Sequence, residues 1–588
     1  MDSEGPELRQ RRKPSGQENY SEDSRDDSSK EKAKREAAEE ERSHYFSWGF
    51  AFFALALARY FSAQSNLIHD CDEVFNYVEP LHYLLYKTGL QTWEYSSEFA
   101  LRSWLYILLH AAIIKPVAWW YGAGPGKVQV FYFLRLLLGL LSAATEATLV
   151  SGTANLLGRR LGAYTLVLLC FTSGLFNAST SFLPSTFSMY AITLTVAALM
   201  YRKPRTAVAV AVVGVVFGWP FSVLATLPLV VYAFVLGGFV PVFVTGFGSS
   251  ILALVISAGI DRIFYGKWTS SVLNLVLYNV FSGGNSQLFG VEGPLFYLRN
   301  GFNNFNFALP LALIFPIVAL IDRRKYSELV VLVSPVYLWL GFMSLQEHKE
   351  ERFLYPIYPL ICLAAAATVE AIPELVPRPR YHAPNEEPKV ILVVKALRTL
   401  ALSLILGVSY SRNASLLYGY SAPLQVYQKL PQLRERITAT DPTGASVVCV
   451  GVEWHRFPSS FFLPTPPYQI GWLDDGERGL LPLPFNGTLG GTASSPHYFN
   501  KNNQATPKQF LESDEICSFL VELKLNRPDR IYRGDDEERW QLVWQQPFLD
   551  NELSPALHRA IFIPWSWERK NTFGMYRLLR KRDGARSD

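Results

Sequence analysis

Residues 353–369 read FLYPIYPLICLAAAATV, an apolar run of nearly membrane-spanning length that contains no charged side chain. Residues 302–321 form a second uncharged run of this kind. Similar apolar runs, separated by short polar loops, recur between about residues 46 and 410. Because a helix needs about 20 mostly apolar residues to cross a bilayer, the pattern predicts a polytopic α-helical membrane protein rather than a large soluble protein with buried helices.

The composition of the 588-residue chain agrees with a membrane protein. Hydrophobic residues make up 49% and aromatic residues 14%, and the mean hydropathy is +0.11. Charged residues make up 18%, below the usual quarter of soluble domains. The net charge of only +4, without a basic stripe interleaved with aromatic residues, argues against a nucleic-acid partner. The five cysteines contain no C-x-x-C pair, which argues against a zinc or thioredoxin-like site.

The composition changes twice along the chain and predicts three parts. Residues 1–45 are almost wholly polar and predict a disordered, charged cytosolic tail without a signal-peptide pattern. Residues 46–410 contain the apolar runs and predict the membrane domain. Residues 411–588 predict a small luminal domain of mixed α/β structure, with strands at stretches such as 446–452 and 530–533.

The distribution of basic residues predicts the orientation of the membrane domain. Basic residues precede the first apolar run, which places the N-terminus in the cytosol. The predicted spans are 46–62, 128–151, 162–176, 184–201, 206–219, 221–237, 240–260, 304–321, 327–344, 353–371 and 389–408. With these eleven spans, the basic turns become cytosolic and the C-terminus luminal; the turns lie at 159–160, 202–205, 323–325 and 378–380.

The apolar stretch 103–120 is the exception in this topology. Counting it as a twelfth span would move every later basic turn to the luminal side. We therefore predict an interfacial or re-entrant helix on the luminal face, consistent with its tryptophan and tyrosine residues.

Two further features test the orientation. The glycosylation sequons that begin at Asn177, Asn413 and Asn486 all fall on the predicted luminal side. Cys449 and Cys517 lie in the predicted luminal domain, where they form either one disulfide or two buried free thiols.

Two polar clusters are predicted to share the luminal face. Residues 69–73 (HDCDE) follow the first span, and residues 346–352 (QEHKEER) precede the run quoted above. Carboxylates at a membrane face are costly to desolvate and therefore mark candidate functional sites. Cations beside them suit an anionic lipid headgroup, and a carboxylate can deprotonate an acceptor hydroxyl. The pair suggests transfer of a group from a lipid-linked phosphate, with the phosphate as leaving group, such as sugar transfer through an oxocarbenium-like transition state. The alternative is loop charges that pair with each other.

A metal site is a weaker hypothesis for the first cluster. His69, Asp70, Asp72 and Glu73 could supply ligands, but they are adjacent in sequence rather than spread as in a typical cage. We therefore rank a metal-free reaction above a metal-dependent one. No cofactor is expected, and a divalent metal is left open.

The two clusters also resemble glycosyltransferase family 22. The resemblance rests on residues 69–80 (HDCDEVFNYVEP), 91–96 (QTWEYS), 101–103 (LRS) and 348–353 (HKEERF), and it covers roughly residues 46–410. It implies a GT-C fold and an inverting mannosyltransferase that uses dolichyl-phosphate mannose at the luminal face of the endoplasmic reticulum.

Within that family, the D-C-D-E form at residues 70–73 and the segment 453–462 (EWHRFPSSFF) are similar to the α-1,2-mannosyltransferases of N-glycan precursor assembly. The implied acceptor is a dolichyl-diphosphate oligosaccharide in the endoplasmic reticulum membrane. One alternative is a GPI-anchor mannosyltransferase of the same family, and another, from a different class, is a lipid or sugar transporter.

The resemblance also implies roles for individual residues. Asp72 is the expected general base, with Glu73 as the alternative or as its orienting partner. The donor phosphate is expected to contact His348, Lys349, Arg352 and Arg102, although Arg102 could equally be structural. The acceptor is expected to contact His69, Asp70, Tyr278 and Asn279.

Overall fold

The structure of the protein is a computed structural model. It describes residues 47–281, 288, 290–372, 389–437, 446–464, 468–476, 478–486, 492, 495–496 and 498–582. The predicted tail at 1–45 and the basic turn at 378–380 lie outside the described residues.

The membrane part is almost entirely helical. Its elements in chain order are α1 (Trp48–Ser65), α2 (Cys71–Glu73), α3 (Glu79–Tyr86), the short strand β1 (Leu90–Gln91), α4 (Trp104–Tyr121), α5 (Lys127–Leu157), α6 (Arg159–Phe171), α7 (Ser173–Ala178), α8 (Pro184–Met200), α9 (Pro204–Val213), α10 (Val223–Gly237), α11 (Phe239–Tyr265), α12 (Ser271–Phe281), α13 (Phe296–Phe305), α14 (Ala308–Val318), α15 (Arg323–Leu345), α16 (Tyr358–Ala371) and α17 (Lys389–Tyr420).

Each of the eleven predicted spans overlaps a helix, but the spans 162–176 and 304–321 each cross a break between two helices. By length and composition, however, only six helices among the described residues could cross a membrane, or seven if the bent pair α13 and α14 is one span. The difference arises because several predicted spans are short helices enclosed by others. Helix α8, for example, has 17 residues and is buried along most of its length. The predicted class, a polytopic helical membrane protein with a C-terminal sheet domain, is confirmed.

The exceptional stretch 103–120 forms the single helix α4. This helix contacts α3, α5 and α11, and it does not belong to the six helices of spanning character. Trp119 and Trp120 at its C-terminal end are 82% and 79% exposed. Its interfacial placement stays a prediction, supported by this exposed pair of typical interface residues.

Helix α16 runs between the HKEERF box and the basic turn at 159–160. It begins five residues after Phe353, the last residue of the HKEERF box, and Glu370 lies in its last turn. Glu370 Oε1 lies 3.5 Å from Arg160 Nη1, in the predicted basic turn at 159–160. A 14-residue helix is about 21 Å long, so the box and this basic turn lie at opposite ends of the bundle.

The C-terminal domain is built around one sheet. Its elements are α18 (Ala422–Tyr427), α19 (Leu430–Ile437), β2 (Ser446–Val450), β3 (Tyr468–Trp472), β4 (Leu483–Pro484), β5 (Cys517–Lys524), β6 (Trp540–Leu549), α20 (Ala556–Ala560), α21 (Trp567–Lys570) and β7 (Phe573–Lys581). The five-stranded sheet has the order β3-β2-β5-β7-β6. Strand β2 runs parallel to β3 and β5, whereas β7 runs antiparallel to β5 and β6.

The prediction of a strand at 530–533 is wrong. This segment is a loop that leads into the 3-10 turn Arg533–Asp535. The hydroxyl of Tyr532 donates to the carbonyl of Leu525 and accepts from its N–H. These bonds fold the loop back onto the end of β5, so no strand partner is needed.

A buried carboxylate fastens the C-terminal domain to the membrane part. Glu79 at the start of α3 is fully buried. Its Oε2 accepts from Ser460 Oγ at 2.8 Å and from Leu90 N at 2.7 Å, and its Oε1 accepts from Ser460 N. Lys127 Nζ donates to the carbonyl of Ser460 at 2.9 Å. A two-residue strand pair, β1 with β4, lies beside this network.

Cys449 and Cys517 form a disulfide, which settles the alternative left open by the sequence. It joins the adjacent parallel strands β2 and β5 across a separation of 68 residues. Because such a cross-link restricts the unfolded chain, it contributes about 2–4 kcal/mol.

We expect the double variant Cys449→Ser, Cys517→Ser to unfold its C-terminal domain at a lower temperature than the native protein, as followed by tryptophan fluorescence in detergent. A reductant should lower the unfolding temperature of the native protein and leave that of the variant unchanged. Equal unfolding temperatures for the two proteins contradict the prediction.

Candidate functional site

The acidic stretch after α1 is shaped by a cap and a π-helical turn. The Oδ1 atom of Asp70 accepts from the N–H of Asp72 at 2.8 Å and begins α2. The π-helical turn Val74–Val78, in which every residue is buried, continues directly into α3. Successive helical side chains point about 100° apart, so Asp72 and Glu73 face different surroundings.

Backbone carbonyls anchor the HKEERF box to the segment before α13. His348 Nδ1 lies 3.0 Å from the carbonyl oxygen of Gly290. Lys349 is buried, and its Nζ donates to the carbonyl of Glu292 at 2.8 Å and to that of Gln346. The ammonium of Lys349 therefore holds the loop in place.

One arginine joins the two polar clusters. Arg352 Nη2 donates to Asp72 Oδ2 at 2.6 Å, and Arg352 Nε lies 3.0 Å from Asp70 Oδ2. Arg352 Nε also donates to Glu350 Oε2. We call these four residues the charge cluster. The Arg352 side chain is 11% exposed and that of Asp72 35%, so the carboxylate is the accessible partner.

The charge cluster perturbs the titration of its members. Burial alone raises the pKa of Glu350, but Arg352 and the hydrogen bond with His348 outweigh burial and lower this pKa to about 2. The same hydrogen bond, with 2.8 Å between His348 Nε2 and Glu350 Oε1, raises the pKa of His348. Burial raises the pKa of Asp70 to about 7 despite the neighbouring Arg352. The cluster thus contains a carboxyl group that titrates near neutral pH.

This pKa predicts a pH-dependent stability. Because the pKa of Asp70 in the folded protein lies above its ordinary 3.8, its ionisation opposes folding. The neutral carboxyl stabilises the fold below about pH 4, and this contribution is lost as the pH rises through about 7. We therefore expect the unfolding temperature of Asp70→Asn, relative to the native protein, to increase between pH 4 and pH 8. A difference that stays constant over this range contradicts the prediction.

Glu73 bonds outside the charge cluster. It is 4% exposed, and its Oε1 accepts from the N–H of Phe182 at 2.8 Å. Arg135, the largest counter-charge near Glu73, donates to the carbonyls of Asn66 and Leu67 at 2.7 and 3.0 Å. Glu73 and Arg135 therefore support the chain leading to Asp70, whereas Asp72 faces the box.

Arg102 is held by its own partners. Its Nε and Nη2 donate to the two carboxylate oxygens of Glu94 at 2.8 and 3.0 Å, and its Nη1 donates to Tyr77 Oη at 2.7 Å. Arg102 and Tyr77 line a cavity of about 40 Å³ beside the π-helical turn Gly214–Gly218. Burial lowers the pKa of Arg102, but Glu94, Tyr77 and, to a smaller extent, Asp72 raise it overall. Arg102 is thus held by Glu94 and Tyr77, close enough to Asp72 for that carboxylate to act on its charge.

The two predicted acceptor residues on α12 make local contacts. The ring of Tyr278 lies 5.6 Å from that of Trp93. The exposed Asn279 donates to the carbonyl of Leu275 in its own helix. The structure does not bring either residue into contact with the charge cluster.

A cleft of about 500 Å³ opens onto the charge cluster, and we call it the central cleft. It is lined by residues 67–71, by Glu350, by residues of α17 and α18, by the segment 455–458, and by Phe548 and Asn551. His69 lines it and also bonds through Nε2 to Asn66 Oδ1 at 3.0 Å. Membrane and C-terminal domains therefore share this cleft.

Sequence reasoning gave no role to the C-terminal side of the central cleft. His455 and Arg456 line it and follow β2, and Asn551 lines it after β6. The signal for the first two was present, because the family-like segment 453–462 directly follows a predicted strand. Asn551 has no comparable sequence signal.

Three ligand atoms of Asp70, Cys71 and Asp72 lie within 4.8 Å of one another, a spacing that could hold a metal ion. Both carboxylates already contact Arg352, so a cation would have to displace the guanidinium. His69 and Glu73, the other predicted ligands, bond elsewhere. The donor set therefore fits a metal poorly.

Comparisons with known proteins cover the whole site. The model of the Alg9-like mannosyltransferase family matches residues 50–464, which include the charge cluster and His455. The chain is 54% identical over 535 residues to a protein of Arabidopsis thaliana named alpha-1,2-mannosyltransferase ALG9, covering 91% of this chain and 92% of the relative. It is 35% identical over 555 residues to the Homo sapiens protein of that name, covering 90% and 88%.

Among solved structures, ArnT from Cupriavidus metallidurans bound to undecaprenyl phosphate is similar. The TM-score is 0.46 at 12% sequence identity, and the match covers 73% of this chain and 86% of that chain.

Proposed function

This chain belongs to the Alg9-like mannosyltransferase family and is therefore a membrane glycosyltransferase, and from this premise we propose its reaction. It transfers mannose from dolichyl-phosphate mannose to a dolichyl-diphosphate oligosaccharide, forming an α-1,2 linkage in N-glycan precursor assembly. Two relatives named alpha-1,2-mannosyltransferase, each matching about nine-tenths of this chain, support the linkage.

The contact between Asp72 and Arg352 carries the proposal. These residues are 280 positions apart, and 2.6 Å separates Asp72 Oδ2 from Arg352 Nη2. A candidate base thereby lies directly beside a cation suited to a phosphate. The central cleft reaches this pair through Asp70 and Glu350, so an acceptor in the cleft can approach the base.

The proposed reaction is a single displacement. Asp72 removes the proton of the acceptor hydroxyl, the hydroxyl oxygen forms a bond to the anomeric carbon, and the bond from that carbon to the phosphate oxygen breaks. Arg352 stabilises the negative charge that the departing dolichyl phosphate gains. The β-linked donor gives an α-linked product by inversion, so no covalent enzyme intermediate forms.

Donor binding and base activation are linked in this scheme. While Arg352 pairs with Asp72, its guanidinium occupies Oδ2 of the carboxylate that would accept the proton. When Arg352 turns from Asp72 to the donor phosphate, the carboxylate becomes available to the acceptor. The base is then active only while the donor is bound, which limits unproductive chemistry.

We further propose that the charge cluster lies in the lumen of the endoplasmic reticulum. The disulfide of the C-terminal domain is typical of an oxidising compartment. The box and the basic turn at 159–160 lie at opposite ends of α16, as the positive-inside rule predicts. Asn486 is exposed, which suits a luminal sequon, whereas Asn177 is 2% exposed and unsuited to glycosylation in the folded protein.

The test is a transfer assay with the purified full-length protein in detergent. Radiolabelled dolichyl-phosphate mannose is offered with defined lipid-linked oligosaccharides, with and without a chelator, and in parallel with a GPI glycolipid acceptor. We expect α-1,2-linked product only on the oligosaccharides and no effect of the chelator. Product only on the GPI glycolipid, or sugar flux across vesicles without any transfer, overturns the proposal.

A further inference from the structure

A second cavity lies at the carboxyl ends of the parallel strands of the C-terminal domain. It has a volume of about 160 Å³ and is lined by residues 451–453 after β2, Asp475 after β3, residues 520–523 of β5 and the loop 530–533. We call it the strand-end cavity. Strands β2 and β5 are neighbours in the sheet, but the chain leaves them in opposite directions. It passes from β2 to β3 at one edge of the sheet and from β5 to β6 at the other edge. The cavity therefore lies at a topological switch point, where open α/β sheets bind their ligands.

Two glycines allow carboxylates to approach the backbone at this cavity. A Cβ atom at Gly451 would lie 1.6 Å from Asp475 Oδ2, and one at Gly534 would lie 2.2 Å from Glu522 Oε1. The N–H of Gly534 also donates to Glu522 Oε1 at 3.0 Å. Any side chain at either position would collide with a carboxylate that lines the cavity.

Each carboxylate of the strand-end cavity has an arginine partner. Asp475 Oδ1 accepts from Arg533 Nε and Nη2 at 3.1 and 2.8 Å. Glu522 pairs with Arg577. These pairs leave little net charge, so the lining suits neither a free phosphate nor a metal ion.

The pairs nevertheless present oriented donors and acceptors beside an apolar wall. Leu523, which is 8% exposed, contributes to that wall, and Ile531, which is 97% exposed, stands at the mouth. The guanidinium of Arg530 lies 5.5 Å from the ring centroid of Tyr532. A neutral ligand with several hydroxyl groups and one apolar face matches this lining, and a single pyranose ring has that chemistry.

We propose that the strand-end cavity binds one mannose unit of the acceptor oligosaccharide, away from the hydroxyl that reacts. Naming the sugar as mannose rests on the proposed function. Glu453 lines the strand-end cavity, and its Oε2 lies 2.6 Å from Nη1 of Arg456, which lines the central cleft. One short segment after β2 therefore contributes to both sites, and a branched glycan can contact both at once.

The first test measures binding without catalysis. Free mannose oligosaccharides are titrated into the full-length protein in detergent, and saturation-transfer NMR reports the bound sugar. Ile531→Trp fills the mouth of the cavity and is expected to weaken binding at least tenfold. Leu557→Trp is the matched control, because Leu557 is also an exposed apolar residue of this domain, at 59%, but does not line the cavity. Equal binding by the Ile531→Trp variant and the native protein overturns the proposal.

A second variant guards against a folding defect. Arg530→Ala removes an exposed side chain and should also weaken sugar binding, whereas Arg569→Ala, an exposed arginine of α21, should not. Loss of binding in Arg569→Ala as well as Arg530→Ala shows a nonspecific effect and contradicts the assigned site.

Transfer kinetics separate this inference from the proposed function. In Ile531→Trp, we expect the KM for a dolichyl-diphosphate oligosaccharide that still lacks the transferred mannose to rise about tenfold, while kcat stays unchanged. Transfer with an unchanged KM overturns the inference and leaves the proposed function standing. If the native protein shows no transfer activity, the proposed function is overturned. If the same native protein binds sugar and Ile531→Trp does not, the assignment of the cavity is still supported.

Discussion

Asp72→Asn is expected to abolish mannosyl transfer while leaving the fold intact. General base catalysis contributes about 10²–10⁴-fold to a rate, and asparagine cannot accept the proton. Its side chain has nearly the same shape, and its carbonyl oxygen can still accept from Arg352 Nη2, which lies 2.6 Å from Asp72 Oδ2. We expect kcat to fall by about 10³-fold in the transfer assay, with an unchanged elution volume and unfolding temperature.

Glu73→Gln is the matched control for this prediction. Glu73 is buried and bonds to the backbone of Phe182, so its substitution should reduce the yield or stability of the folded protein more than kcat. If Glu73→Gln folds stably and only its kcat falls, Glu73 is the general base. If Asp72→Asn turns over as fast as the native protein, Asp72 is not the general base.

The second large effect is expected at Arg352. Arg352→Ala leaves Asp70, Asp72 and Glu350 without their shared cation, and breaking a buried ion pair from one side costs about 3–5 kcal/mol. Transfer should fall below detection. Arg352 lowers the pKa of Asp70 and of Glu350. Its loss makes these two carboxyl groups bind protons more tightly, so the variant should regain stability relative to the native protein as the pH is lowered.

Arg352→Lys separates the two roles of this arginine. Lysine keeps the charge but lacks the forked geometry that contacts carboxylate and phosphate together, so the variant should fold and yet require more donor. We expect the KM for dolichyl-phosphate mannose, and the inhibition constant of dolichyl phosphate, to rise about tenfold or more. Arg102→Ala, whose guanidinium is held by Glu94 and Tyr77, is the comparison. A rise in donor KM in Arg102→Ala alone would place the phosphate at that arginine instead.

Elements of this fold that depend on local composition could be predicted from the sequence. The apolar runs marked the helices, and the basic turns correctly separated the box at 348–353 from the turn at 159–160, because both signals are carried by contiguous residues. The number of membrane spans could not be derived in this way. A helix such as α8, which neighbouring helices enclose, carries the same apolar signal as one that faces lipid.

In the candidate site, too, some features could be predicted from contiguous residues and others depend on tertiary packing. The sequence placed residues 69–73 and 346–352 on one face and left open whether their charges pair with each other. The structure shows that they do pair, through Arg352. The different environments of Asp72 and Glu73 depend on the cap at Asp70 and the π-helical turn that follows, which composition does not reveal. The pairing of Arg102 with Glu94 and the contribution of Asn551 to the central cleft depend on tertiary packing alone.

The contact between Glu79 and Ser460 has a consequence for biosynthesis. The two residues are 381 positions apart, and a ribosome adds about 5–20 residues per second. Glu79 therefore waits roughly 20–80 s after its own synthesis before its partner has been translated. During that interval the carboxylate lacks both of its hydrogen bonds from Ser460, and the C-terminal wall of the central cleft does not yet exist. The nascent protein consequently cannot capture an oligosaccharide before nearly the whole chain has been made.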